Sequence, residues 1–97
     1  MTRTAASADL QRDDDELRVT LWQFPPGSET GWHRHEVPYV VVPVIGGALT
    51  VEDKSGSRAY PIASGKSYSR PAGVEHNIAN DTADDISFVE IELKQGR

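Results

Sequence analysis

The feature that most constrains this chain is its punctuation. From residue 17 onward, short runs rich in Val, Ile, Tyr, Trp and Phe are cut by Gly, Pro, Asp and Ser, at the spacing of about 8–12 residues that marks sandwiches and barrels. No segment repeats apolar residues with a 3.6-residue period over three turns, so no helix is predicted. Leu17–Phe24 carries Val19, Leu21, Trp22 and Phe24 and is stopped by Pro25, Pro26 and Gly27. Residues 37–45 hold five Val, one Tyr and one Ile and are the most β-prone run. Gly46-Gly47 after them reads as a hairpin turn. Further strands are predicted over 49–52, 58–62, 67–70, 75–79 and Ile86–Leu93, with turns at 53–57, 63–65 and 71–73 and a polar loop over 80–85. Seven or eight short strands make an all-β fold.

The 97 residues suffice for one domain. Residues 1–14 are small and polar and lead into Asp13-Asp14-Asp15-Glu16, so they are expected to form a flexible or loosely docked terminus, with the domain over 15–97. The net charge of −5 argues against nucleic acid, whose phosphates need an excess of Lys and Arg. With no cysteine, disulfides, zinc–thiolate sites and a thiol nucleophile are excluded. Residues 1–8 have no apolar stretch of the secretory kind. No run approaches the roughly 18 apolar residues of a membrane helix. A soluble, cytoplasmic protein is expected.

Alternation assigns the faces. Along an extended segment, His33, His35, Val37, Tyr39, Val41 and Pro43 point one way, and Glu36, Pro38, Val40 and Val42 the other. Both faces are apolar beyond residue 39, as in strands covered on both sides; the second face is expected to meet another sheet or a second copy, making a homodimer. The chain's three histidines are His33, His35 and His76. Two His one residue apart on a strand project to one side. His76 follows the turn Pro71-Ala72-Gly73, which can aim it into the same space. Neutral imidazoles so placed are metal donors.

The spacings around these histidines resemble the two sequence motifs of the cupin family. The second motif, Gly-x5-Pro-x-Gly-x2-His-x3-Asn, is matched in full by Gly65, Pro71, Gly73, His76 and Asn80. Such a match arises by chance on the order of once in 10⁵ chains of this length. The first, Gly-x5-His-x-His-x3-4-Glu-x6-Gly, is matched by Gly27, His33, His35 and Gly46, with Tyr39 in place of the glutamate. The resemblance implies a single-domain double-stranded β-helix, or jelly-roll barrel, with one divalent metal on His33, His35 and His76. Residues 26–42, 73–77 and 88–93 are further similar to short bacterial cupins described as beta-alanine degradation proteins. That likeness implies a place near small amino acid or carboxylic acid catabolism.

The motif glutamate slot leaves three roles for Tyr39: a tyrosinate ligand, a catalytic hydroxyl offered to substrate or bound water, or a packing residue. Three neutral ligands resemble the three-histidine sites of cupin dioxygenases and favour a small anionic, chelating substrate. Fe(II) is the preferred ion, with Zn, Ni, Mn or Cu compatible with the donors. A metal-dependent oxidoreductase is one reading; a non-catalytic metal- or ligand-binding module with a degenerate site is the other. Trp32 and Arg70 are candidate substrate-pocket residues, Arg70 as a carboxylate anchor. Glu36 is expected on the face opposite the histidines. Glu90 and Glu92 read as solvated edge charges, Glu90 being a general base only if it faces the metal. Asn80 reads as a turn-stabilising amide.

Overall fold

In the computed structural model, which describes residues 2–95, strands form where β-branched and aromatic residues cluster between turn formers. Met1, in the expected 1–14 segment, and Gly96 and Arg97, in the expected 15–97 domain, lie outside the described residues. Eleven strands follow in order: β1 (Thr4–Ala5), β2 (Ser7–Asp13), β3 (Leu17–Phe24), β4 (Ser28–Glu29), β5 (His33–Arg34), β6 (Tyr39–Ile45), β7 (Gly47–Asp53), β8 (Gly56–Ile62), β9 (Tyr68–Arg70), β10 (Glu75–Asn80) and β11 (Ile86–Leu93). There is no helix among the described residues. The predicted strands from 17 onward are all present. The excess over those seven comes from β2 and from the two-residue strands β1, β4 and β5.

The strands form two facing sheets. One has the order β1-β4-β10-β7-β8, with β5 also paired to β10; the other has the order β2-β3-β11-β6-β9. Phe24, Tyr39, Val41, Leu49, Val51, Ile62, Ile78, Ile86 and Phe88 fill the space between them. The inward parity of β6 is as alternation predicts: Tyr39, Val41 and Pro43 are buried, whereas Val40 and Val42 are half-exposed. Pro43 sits inside the most β-prone run without breaking it, because the β6–β11 register shifts between Ser87 and Phe88. The ladder is already interrupted there, and a residue lacking an N–H is tolerated.

Two expectations are corrected. Thr4–Ala5 and Ser7–Asp13, within the segment expected to be loosely docked, are strands: β2 pairs along β3 and β1 runs parallel to β4. Without β2, the N–H and C=O groups along one side of β3 would be an open sheet edge. Arg3 secures the start of the chain, with its guanidinium 3.3 Å from Glu29, 3.1 Å from Glu52 and 2.9 Å from Asp81.

Gly46-Gly47 is not a hairpin. Strand β6 pairs with β11 and β9, and β7 pairs with β10 and β8. The chain therefore crosses from one sheet to the other at this point. A Cβ on Gly46 would lie 2.6 Å from the carbonyl oxygen of Ile62, so it is close backbone approach that requires glycine. The hairpin lies instead between β7 and β8, where Asp53 Oδ1 accepts from the Ser55 N–H at 2.9 Å.

Gly46→Ala is expected to destabilise the fold by about 1–3 kcal/mol, the range for forcing a methyl into packed backbone. Urea unfolding monitored by tryptophan fluorescence checks this, and an unchanged midpoint would contradict the sheet-crossing role.

Candidate metal centre

Backbone pairing sets the histidines face to face. In the β5–β10 ladder, His33 is the Cα partner of His76. His35 follows β5 and is tied to the second motif at both ends: its N–H donates to the Val74 carbonyl at 2.8 Å, and its carbonyl accepts from the Gly73 N–H at 2.7 Å. Gly73 reaches that position with φ +94°, which residues with a Cβ rarely adopt. The turn at 71–73 thus clamps His35 beside the strand that carries His76.

The side chains converge on their Nε2 atoms. His33 Nε2 and His35 Nε2 are 3.1 Å apart, and His35 Nε2 and His76 Nε2 are 3.3 Å apart. The three histidines place their ligand atoms within 4.8 Å of one another. Donors about 2.0–2.1 Å from one ion are separated by about 3.0 Å at right angles and about 3.4 Å at tetrahedral angles, so the spacings suit a shared ion. The tautomer also fits. His33 Nδ1 lies 2.8 Å from the Gly31 carbonyl oxygen, which can only accept, so Nδ1 carries the proton and Nε2 keeps its lone pair. Asn77 fixes this turn by accepting from the Gly31 N–H at 2.9 Å and donating to Glu29 and Glu52, each at 2.9 Å. Burial, then the neighbouring histidines, hold His35 down at about pKa 3; burial, then His33, hold His76 at about 4. Both are neutral donors at pH 7.

Tyr39, in the motif glutamate slot, is buried and stacks on the His35 imidazole, with ring centroids 3.8 Å apart and planes inclined by 17°. Burial, then the charge of Glu90, push its phenol well above the usual range. With its proton held, it is a neutral brace for His35 that borders the barrel cavity. Arg70 lines the same cavity, its guanidinium carbon 5.0 Å from the Tyr60 ring centroid and 5.7 Å from that of Tyr68. Trp32, expected in the pocket wall, is instead 53% exposed, and its indole N–H donates to Glu75 at 3.0 Å. It adjoins the inward His33, so alternation turns it outward. Glu36 lies outside as predicted, 3.2 Å from Arg34. Asn80 is fully buried, donates to the Phe24 and Asp84 carbonyls and accepts from Thr82, as a turn-stabilising amide should.

Glu90 departs from its predicted edge position. Strand β11 lies between β3 and β6 in the middle of its sheet, so its even-numbered residues face the other sheet. Glu90 Oε1 is 3.7 Å from His35 Nε2 and the side chain is only 13% exposed. Burial, then Glu92, raise its pKa to about 7. Alternation in Ile86–Leu93 already put Glu90 with the buried Phe88, and that shared parity was the available signal. The barrel cavity, of about 300 Å³, is lined by Tyr39, Tyr60, Tyr68, Arg70, His76 and Glu90 among others. A second hollow, of about 360 Å³, reaches His33, His35 and Glu90 from the β2–β3 side.

The comparisons agree with this architecture. The Cupin_2 family, a cupin domain, matches residues 20–92, and the chain belongs to the cupin family. It is 48% identical over 92 residues to the "Beta-alanine degradation protein BauB" of Pseudomonas aeruginosa, covering 95% of this chain and 97% of that protein. A solved cupin domain from Bordetella pertussis superposes with a TM-score of 0.94 at 49% identity, over 97% of this chain and 98% of that one. An RmlC-like cupin with a double-stranded β-helix fold from Methanocaldococcus jannaschii matches at TM-score 0.76 and 15% identity, over 93% and 81% of the two chains; this likeness is one of fold. No helix among the described residues is long and apolar enough to cross a membrane.

The metal-free protein is expected to weaken in mild acid. An unfolded histidine takes up its proton near pH 6.5, whereas folded His35 and His76 resist until about 3 and about 4. Glu90, raised to about 7, acts in the opposite sense, one group against two. The unfolded chain therefore binds more protons between pH 6.5 and about 4, and stability falls as pH drops through that window. Urea midpoints of chelator-treated protein at pH 7 and pH 5 check this; a midpoint that does not fall would contradict it.

Proposed function

We propose that this cupin holds one divalent metal ion on His33, His35 and His76 and uses it to bind and transform a small anionic metabolite in the adjoining barrel cavity. The observation that carries this reading is the convergence of three Nε2 atoms at 3.1 and 3.3 Å steps, with His33 held in the donor tautomer by Gly31. Fe(II) is the preferred ion, with Zn, Ni, Mn or Cu also suited to imidazole nitrogen. Bound Fe(II) would supply oxidative chemistry of the dioxygenase type, and the other ions Lewis acidity.

The chain's own residues supply recognition. Arg70, packed against the touching rings of Tyr60 and Tyr68, offers a guanidinium to a carboxylate in the cavity. Tyr39 fixes His35 by stacking and presents the only phenol that both stacks on a histidine and borders the cavity, among the described residues; its hydroxyl is the proposed catalytic group. A cavity of about 300 Å³ is at the small end of ligand pockets and suits a compact substrate. The relative named for beta-alanine degradation supports a role in small amino acid or carboxylic acid catabolism, and with it a cytoplasmic location. A non-catalytic binding module is the second reading, favoured by Tyr39 in the motif glutamate slot.

We also infer a homodimer. The outward face of the five-stranded sheet carries Val19, Leu21, Val40, Val42, Val89 and Ile91 side by side in the β3–β11–β6 register. An apolar face of this kind is usually covered. Sedimentation at micromolar concentration is expected to show a dimer, and Val42→Glu to shift it toward monomer. A wild-type monomer would contradict the dimer.

Two measurements test the function. Anaerobic loading with Fe(II), followed by oxygen-uptake assays on small amino acids, carboxylates, thiols and diketones, is expected to show uptake with a small anion. Retained iron with no uptake across the panel would turn the reading to the binding module. Arg70→Gln is expected to weaken binding of that anion by about 10–100-fold, the value of a charge-assisted contact, while metal content is unchanged. Undiminished binding would remove Arg70 from recognition.

A further inference from the structure

We propose that Glu90 is a fourth protein ligand of the metal, supplying from the last strand the carboxylate that the motif position held by Tyr39 lacks. This rests on the three-histidine reading and deepens it. Glu90 pairs in register with Val41 of β6 and Thr20 of β3 and projects from the centre of its sheet toward the histidines. Its Oε1 is 3.7 Å from His35 Nε2. That separation lies between about 3.4 Å and about 4.2 Å, the spacings of tetrahedral and opposed donors around an ion about 2.1 Å from each. Among the described residues His35 is the one histidine within 4 Å of the carboxylate, and the three imidazoles alone form the cluster whose ligand atoms lie within 4.8 Å of one another, so ligation requires the Glu90 side chain to turn toward that cluster.

The surroundings of Glu90 point the same way. A buried carboxylate needs a cation or several donors to offset its lost hydration. Among the described residues, Glu90 has no ion pair with Lys or Arg, and its one basic neighbour within 4 Å is His35. Trp22 lines the second hollow beside Glu90 and favours its ionised form, the part an outer partner plays for a metal ligand. Glu90 also borders both hollows that reach the histidines, so its carboxylate forms part of the wall between them. Tyr39 cannot make the same approach while stacked on the His35 ring, because a donor to the shared ion lies ahead of the Nε2 lone pair.

The test uses the full chain stripped with chelator and titrated with Co(II), whose visible band reports the donor set. Affinity is measured by competition with a chromophoric chelator. Wild type is expected to bind one Co(II) per chain. Glu90→Gln is expected to lower affinity by about 100-fold or more, beyond the 10–100-fold range typical of outer partners, and to change the band. Glu90→Asp, which keeps the charge but withdraws the oxygen, is expected to change the band as well. Glu92→Gln, on the same face of β11, is expected to alter neither. An unchanged band in folded Glu90→Gln and Glu90→Asp, whatever the affinity, overturns ligation by Glu90 while leaving the histidine centre standing. Absence of Co(II) binding by wild type overturns both.

Discussion

The site depends on one constraint: the backbone bonds that lock the segment after β5 onto the turn before β10. His35 accepts from Gly73 and donates to Val74, and His33 faces His76 across the ladder. These bonds join residues some forty positions apart in the chain. They bring the His33–His35 pair and His76 together before any side chain is considered. The side chains then add direction, through the Gly31 carbonyl on His33 and the Tyr39 ring on His35. Remove the positive φ at Gly73 and both halves of the arrangement lose their common anchor.

This geometry concentrates polar groups where a hydrophobic core would otherwise lie. Three imidazoles and the Glu90 carboxylate are gathered beside Val41, Phe88 and Ile78. Left without an ion, such a cluster is unfavourable, since burial resists the charging of His35 and His76 and the ionisation of Glu90. A divalent cation held there would offset these terms together, by accepting the imidazole lone pairs and compensating the carboxylate. Stability and function thus act on the same residues. The small size of the domain adds weight to this link, since a chain of this length buries a limited apolar core.

Much of the fold was legible in the sequence because it is local. Leu17–Phe24 and Ile86–Leu93 are strands over the predicted bounds, and alternation correctly turned Tyr39, Val41 and Pro43 inward. The histidine cluster was legible through the motif spacings. What escaped was set by sheet order, which local pattern does not encode. Gly46-Gly47 has the composition of a hairpin, but its flanking strands find partners in different sheets. Glu90 reads as an edge charge only if β11 is an edge strand, and β11 lies between β3 and β6. The N-terminal residues are polar enough to suggest a loose terminus, yet Ser7–Asp13 cover the open side of β3 and Thr4–Ala5 pair with β4. Trp32 was drawn toward the pocket by its neighbour His33, whereas adjacent residues on a strand face opposite ways.

The account stands or falls on whether one ion occupies the space between the three imidazoles. Anomalous diffraction at the metal edge, from crystals of protein purified from its own host, measures this directly. The account predicts a single strong peak within bonding distance of Nε2 of His33, His35 and His76. Histidines in this same arrangement with no peak between them, in protein never exposed to chelator, would contradict it.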